Sequence, residues 1–112
     1  MAKLSPQFET LPNGLQLVLI DLPGFHSGTN FLVIRSGSRY EDKSNNGIAH
    51  FLEHLVFKGT KKYPTTLAVA EAIEGVGGHF NAWTANDHTT YWNAVPQEAW
   101  RRGVELPFEL AF

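Results

Sequence analysis

No cysteine occurs among the 112 residues, which removes disulfides, thiolate metal ligands and thiol nucleophiles together. The absence fits a reducing compartment. No apolar run approaches the roughly 20 residues of a membrane-spanning helix. The start, Met1-Ala2-Lys3-Leu4-Ser5-Pro6-Gln7, lacks the apolar core of a secretory signal. A basic excess is also missing. Nine Lys and Arg against eleven Asp and Glu leave a formal charge of −2, so neither a nucleic-acid partner nor a membrane surface is expected. There are no repeats, low-complexity tracts or linkers, and the chain is expected to be cytoplasmic. Hydrophobic residues make up 43% and charged residues 18%, which places the chain among folded globular proteins. Its length suits one domain or part of one, residues 1–112 without an internal boundary.

The organisation along the chain reads as mixed helix and strand. Phe8–Leu11 and Leu15–Ile20 are expected strands around the Pro12-Asn13-Gly14 turn. Phe31-Leu32-Val33-Ile34 is a continuous apolar run, as in a strand buried on both faces. Tyr63-Pro64-Thr65-Thr66 opens a helix with Leu67, Ala70 and Ile73 as its apolar positions and Val69 and Val76 as further candidates. Gly75, Gly77 and Gly78 close it. His79–Thr84 and His88–Val95 form a hairpin through Ala85-Asn86-Asp87. A last helix starts near Pro96, and Pro107 should kink it or stop it early. The fold class is α+β, an antiparallel or mixed sheet with helices on one face.

The chemistry concentrates in His50-Phe51-Leu52-Glu53-His54. Two histidines four residues apart, with a carboxylate directly before the second, share one side of a helix. Two imidazoles can then hold one zinc, and the carboxylate can draw a proton from the water beside it. H-x-x-E-H, the reverse of H-E-x-x-H, is a zinc-peptidase signature. On a helix from Gly47 to Lys58, Ile48, Phe51, Leu52, Leu55 and Val56 form one apolar stripe, the expected core face. His50, Glu53, His54 and Phe57 fall opposite. Asn45 or Asn46 is the expected cap and Gly59 the C′ residue. The bland alternative is a surface helix that happens to carry two His and a Glu.

The surroundings make the motif specific. Around it stand Leu11-Pro12-Asn13-Gly14, Gly37-Ser38-Arg39 with Glu41, and Gly47-Ile48-Ala49-His50-Phe51-Leu52-Glu53-His54-Leu55-Val56-Phe57-Lys58-Gly59-Thr60. Further on come Gly77-Gly78, Asn81-Ala82-Trp83-Thr84 and Thr89-Thr90-Tyr91. With these segments, in family order over nearly its whole length, the chain resembles the N-terminal part of pitrilysin/insulinase-type (M16) zinc peptidases. The resemblance implies His50 and His54 as ligands of one Zn²⁺, Glu53 as general base, and hydrolysis of peptide bonds in unfolded peptides. It implies that Asn81 and Ala82 hold the substrate backbone as an added strand. Phe57 and Trp83 are then candidates for lining an apolar side-chain pocket. Ordinary core packing is the competing account of Phe57 and Trp83, and a solvated strand face that of Asn81.

The resemblance also implies parts this chain does not contain. The third metal ligand of the family is a glutamate on a later helix, expected beyond Phe112. Glu98, Glu105 and Glu109 lie on an earlier helix. His79 and His88 could supply a nitrogen, although a strand histidine facing solvent or a neighbour is the simpler reading. A second homologous half, in cis or as a partner subunit, supplies an Arg/Tyr pair for the substrate carbonyl. The ending Phe108-Glu109-Leu110-Ala111-Phe112, without cap or polar tail, is expected of a chain that continues. A genuine short protein is the alternative: a non-catalytic zinc-binding or partner subunit. The intact His50, Glu53 and His54 favour the catalytic branch.

Overall fold

A computed structural model of the chain describes residues 4–112; Met1–Lys3, part of the start read for a signal segment, lie outside them. Two antiparallel sheets and three α-helices follow one another. Strands β1 (Gln7–Thr10) and β2 (Gln16–Leu19) pair as a hairpin with Phe8 opposite Val18. Its turn closes through the Leu11 N–H on the Leu15 carbonyl at 2.8 Å, and Asn13 Oδ1 accepts from the Leu15 N–H. The expected hairpin is therefore present, with each strand one residue shorter at the turn, β1 starting one residue earlier and β2 ending one residue earlier than expected.

The second sheet carries the core. It comprises β3 (Ser27–Ile34), β4 (His79–Thr84) and β5 (Thr89–Pro96), in the order β3-β5-β4, all antiparallel. Helices α1 (Ile48–Val56), α2 (Thr66–Glu74) and α3 (Trp100–Ala111) pack on it. Leu32, Tyr91 and Val95 meet Val69, Ala72 and Ile73 of α2 and Leu106 and Leu110 of α3 in one apolar cluster. Alternation along the strands sends every second side chain to this layer. Phe31 and Val33 stay exposed on the other face, so the Phe31–Ile34 run is covered on one face only. Phe31 stacks there with Trp92 at 6.2 Å.

Thr65 caps α2, its hydroxyl accepting from the Ala68 N–H at 3.1 Å, and Val69 and Ile73 turn inward as expected. Leu67 does not; it stays exposed. Helix α3 begins after a short 3₁₀ turn at Gln97–Ala99 and runs through Pro107 without stopping. It lies close to the sheet at Gly103, where a Cβ would sit 2.7 Å from Asn30 Nδ2 and from Val95 Cγ2. Only glycine permits that approach.

Helix α1 overturns the expected assignment of faces. Ile48, Phe51, Leu52 and Leu55 are exposed, Phe51 to 63%. Ala49 and Glu53 are buried instead, and Val56 and Phe57 pack against the core. The arc Ala49, Glu53, Val56, Phe57 has the same helical spacing as the apolar stripe. It meets the sheet because β4 offers a hydroxyl for Glu53, and Phe80 of β4 and Tyr91 of β5 offer rings for Phe57. Among the described residues no helix is long and apolar enough to cross a membrane.

Candidate metal centre

Helix α1 starts without the asparagine cap anticipated for it. Asn45 turns back, its Oδ1 accepting from the Asp42 N–H at 2.6 Å. Gly47 takes the N-cap position with φ +88°, a conformation that favours glycine. The first-turn N–H groups are satisfied from six and eight residues upstream: Glu41 Oε2 accepts from Gly47 at 2.6 Å and Oε1 from Ala49 at 2.9 Å. A carboxylate there also opposes the positive end of the helix dipole. Phe57 is the C-cap, so Gly59 lies two residues past it.

His50 and His54, one turn apart, face each other from the exposed side of α1. Their Nε2 atoms are 3.0 Å apart and their rings 4.7 Å apart. Two nitrogens bound to one tetrahedral zinc at about 2.0–2.1 Å stand about 3.3 Å from each other. The pair thus fits a shared cation with a shift of a few tenths of an ångström.

Glu53, beside them on the helix, reaches the sheet. Its side chain is 8% exposed, and Oε2 accepts from Thr84 Oγ1 of β4 at 2.5 Å. Thr84 stands opposite Thr89, whose hydroxyl donates to the Ser36 carbonyl at 3.0 Å. The neighbouring Tyr91 phenol is raised above its ordinary pKa, first by burial and then by the negative charge of Glu53.

No group of three His, Asp or Glu side chains among the described residues is placed to hold one metal ion. His79 lies edge-on to Trp92 at 6.5 Å. His88 Nδ1 pairs with Asp87 at 2.7 Å, which holds that carboxyl below its usual range. Glu105 is tied to Lys62, and Glu109 accepts from the Thr60 hydroxyl.

The proposed substrate residues divide between two faces of β4, an edge strand of its sheet. Phe57 packs on Phe80 at 5.5 Å and on Tyr91 at 6.5 Å. With Thr66, Ala70, Phe80 and Asn81, it lines a groove of about 280 Å³. Trp83 does not share that groove. It stands on the opposite face, edge-to-face with Phe31 at 6.5 Å, because the pleat separates it from Phe80 by an odd number of residues. The Asn81 side chain is exposed, and its Oδ1 accepts from the Ala82 N–H at 2.8 Å. Ala82 itself packs toward the core. Sequence reasoning assigned no role to Glu41, Thr84 or Tyr91; Thr84 and Tyr91 meet Glu53 from far along the chain, and a carboxylate six residues ahead of a helix start matches no standard cap spacing.

Residues 17–109 match the family model described as Insulinase (Peptidase family M16). A protein of Rickettsia bellii named "Uncharacterized zinc protease" is 44% identical over 96 residues, covering 86% of this chain and 23% of that protein. The mitochondrial-processing peptidase subunit beta of Blastocladiella emersonii is 42% identical over 100 residues, 89% of this chain and 21% of its own length. A protease from Helicobacter pylori superposes with a TM-score of 0.87 at 32% identity, over 96% of this chain and 26% of that one. Pitrilysin gives 0.83 at 31% identity, over 96% and 11%. The chain therefore spans under a quarter of the length of these curated relatives.

Proposed function

From the premise that the chain belongs to the M16 (insulinase) peptidase family, we propose that it supplies the two-histidine part of a zinc endopeptidase site acting on unfolded peptides. The observation that carries this reading is the pair of Nε2 atoms at 3.0 Å on the helix that also bears the buried Glu53. His50 and His54 are the proposed ligands. A zinc ion held by them would supply Lewis-acid polarisation of the scissile carbonyl and would make water nucleophilic near neutral pH. Glu53 is the proposed base. Its Oε2 is engaged by Thr84, so Oε1 is the oxygen available to take the water's proton and return one to the leaving amine.

The free edge of β4 suits an extended peptide, which adds as a strand through main-chain hydrogen bonds and so tolerates varied sequence. In this reading the Asn81 side chain releases the Ala82 N–H to the incoming backbone. The groove beside Phe57 takes an apolar side chain of the substrate. Trp83, on the far face, is left out of that pocket. The third metal ligand and the groups that close the site belong to parts that the longer relatives have, in cis or in a partner subunit. A cysteine-free composition suits work in the cytoplasm.

Zinc titration calorimetry tests the ligand roles. His50→Ala or His54→Ala should abolish binding, and Glu53→Gln should leave it largely intact. A quenched-fluorescence peptide assay tests the rest. Residues 1–112 alone should give no useful turnover, since orientation of the reactants contributes about 7–11 kcal/mol to such barriers. Joined to the remainder of an M16 peptidase, the chain should support turnover that a chelator or Glu53→Gln removes. Chelator-sensitive turnover by the isolated chain would show the site to be complete already. Equal loss of zinc in all three variants would overturn the assigned roles.

A further inference from the structure

A carboxylate one residue from a metal-binding histidine has two possible fates. It can enter the coordination shell as a ligand, or it can stay outside as a base. These are exclusive, because a catalytic zinc needs an open position for its water and a base needs a free oxygen. In this chain the helix alone does not decide between them, since Glu53 shares the same turn as His54. The decision lies across the fold, on β4.

Thr84 Oγ1 donates to Glu53 Oε2 at 2.5 Å, the short distance of a charge-assisted bond. A hydroxyl has one proton to give, and Thr84 spends it on this carboxylate. Thr89, its cross-strand neighbour, is committed to the Ser36 carbonyl at 3.0 Å and stands 3.5 Å from the Thr84 oxygen. The donor is therefore fixed on a paired strand rather than on a loose loop. Glu53 is buried while both histidines are exposed, so the carboxylate and the imidazoles face different surroundings although they adjoin in sequence. Glu53 also joins no three-membered ligand set among the described residues.

Resting on the metal-site reading above, we infer that Thr84 is a positioning residue that anchors Glu53 to the sheet and thereby keeps it out of the metal's coordination shell. Without the hydroxyl, the carboxylate swings toward His50 and His54 and becomes a third ligand. Loss of Thr84 thus strengthens metal binding, the opposite of what damage to a structural residue would do.

The test is zinc titration of the chain in a mutant cycle. Thr84→Val removes the hydroxyl at nearly constant shape. It should bind zinc more tightly by roughly tenfold or more, the scale on which outer-shell partners alter metal affinity. Thr84→Ser, which keeps the donor, should bind as the wild type does. The gain should vanish in Thr84→Val combined with Glu53→Gln, because the new ligand is then gone. Thr84→Ala gives the same comparison should Thr84→Val disturb packing. An affinity in both Thr84→Val and Thr84→Ala no higher than wild type overturns the inference, as does a gain that persists with Glu53→Gln. Failure of the metal-site reading is scored separately, by zinc binding that survives His50→Ala and His54→Ala.

Discussion

Asn93 donates its side-chain amide to the Gly103 carbonyl at 2.7 Å, and Gly103 is the residue whose carbonyl Pro107 leaves without a helical donor. In an uninterrupted helix the N–H of residue 107 would bond back four residues. Proline has none, and an orphaned carbonyl in the interior is costly. The central strand supplies the missing donor. Asn93 is fully buried, and its own Oδ1 accepts from Asn30 Nδ2 at 3.1 Å. Pro107 therefore sits inside α3 without ending it.

The first prediction follows from that exchange of donors. Asn93→Ala should lower stability by about 2 kcal/mol, within the usual range for leaving a buried group unpaired. Pro107→Ala in the same background should recover part of the loss, because the new residue regains an N–H for Gly103. Urea unfolding of the two single variants and the double variant measures the coupling. Strictly additive losses would mean that the Gly103 carbonyl is satisfied in some other way.

Local pattern revealed much of this molecule and misjudged it where long-range partners decide. The β4–β5 hairpin, the opening of α2 at Tyr63–Thr66 and the placement of His50, Glu53 and His54 on one helix all follow from spacing within a dozen residues. Helical periodicity identifies two arcs on α1, but it does not say which one the sheet will take. Thr84 captures Glu53 from 31 residues away, and the arc with Phe51 is left outside. The same limit explains Pro107. Its expected effect on the helix is a local rule, and the compensating donor comes from another element. The Phe31–Ile34 run is apolar throughout, yet helices cover only the Leu32 side.

Glu41 should matter more to α1 than any residue inside its first turn. Glu41→Ala removes both acceptors of the Gly47 and Ala49 N–H groups, a loss worth about 1 kcal/mol by analogy with side-chain caps. Amide exchange at Gly47 and Ala49 should accelerate. Zinc affinity should fall as the start of the helix frays near His50. Unchanged exchange at both amides would mean that the helix start is held by something else.

Alkaline titration should single out Tyr91. Its phenol is raised above the ordinary value near 10 by burial and by the charge of Glu53. The folded state then keeps a proton that the unfolded state gives up. Stability should accordingly decline as pH rises through the unfolded value, since the folded form binds more protons there. Tyr91→Phe should flatten that decline. Unfolding curves collected between about pH 8 and 11 decide it, and an unchanged alkaline limb in Tyr91→Phe would remove Tyr91 as the cause.

The outward face of α1 makes the final prediction. Ile48, Phe51, Leu52 and Leu55 are each at least 45% exposed, beside one another on a single helix. Contiguous apolar surface of this kind drives association in water. The 112-residue chain on its own should therefore self-associate and be marginally stable. Phe51→Lys with Leu55→Glu should reduce that association without lowering the unfolding midpoint, because neither side chain contributes to the core. Sedimentation velocity, with thermal unfolding followed in parallel, reads both effects. A wild-type chain that is monomeric and unfolds sharply above about 60 °C, in the upper part of the mesophile range, would show that this face needs no cover.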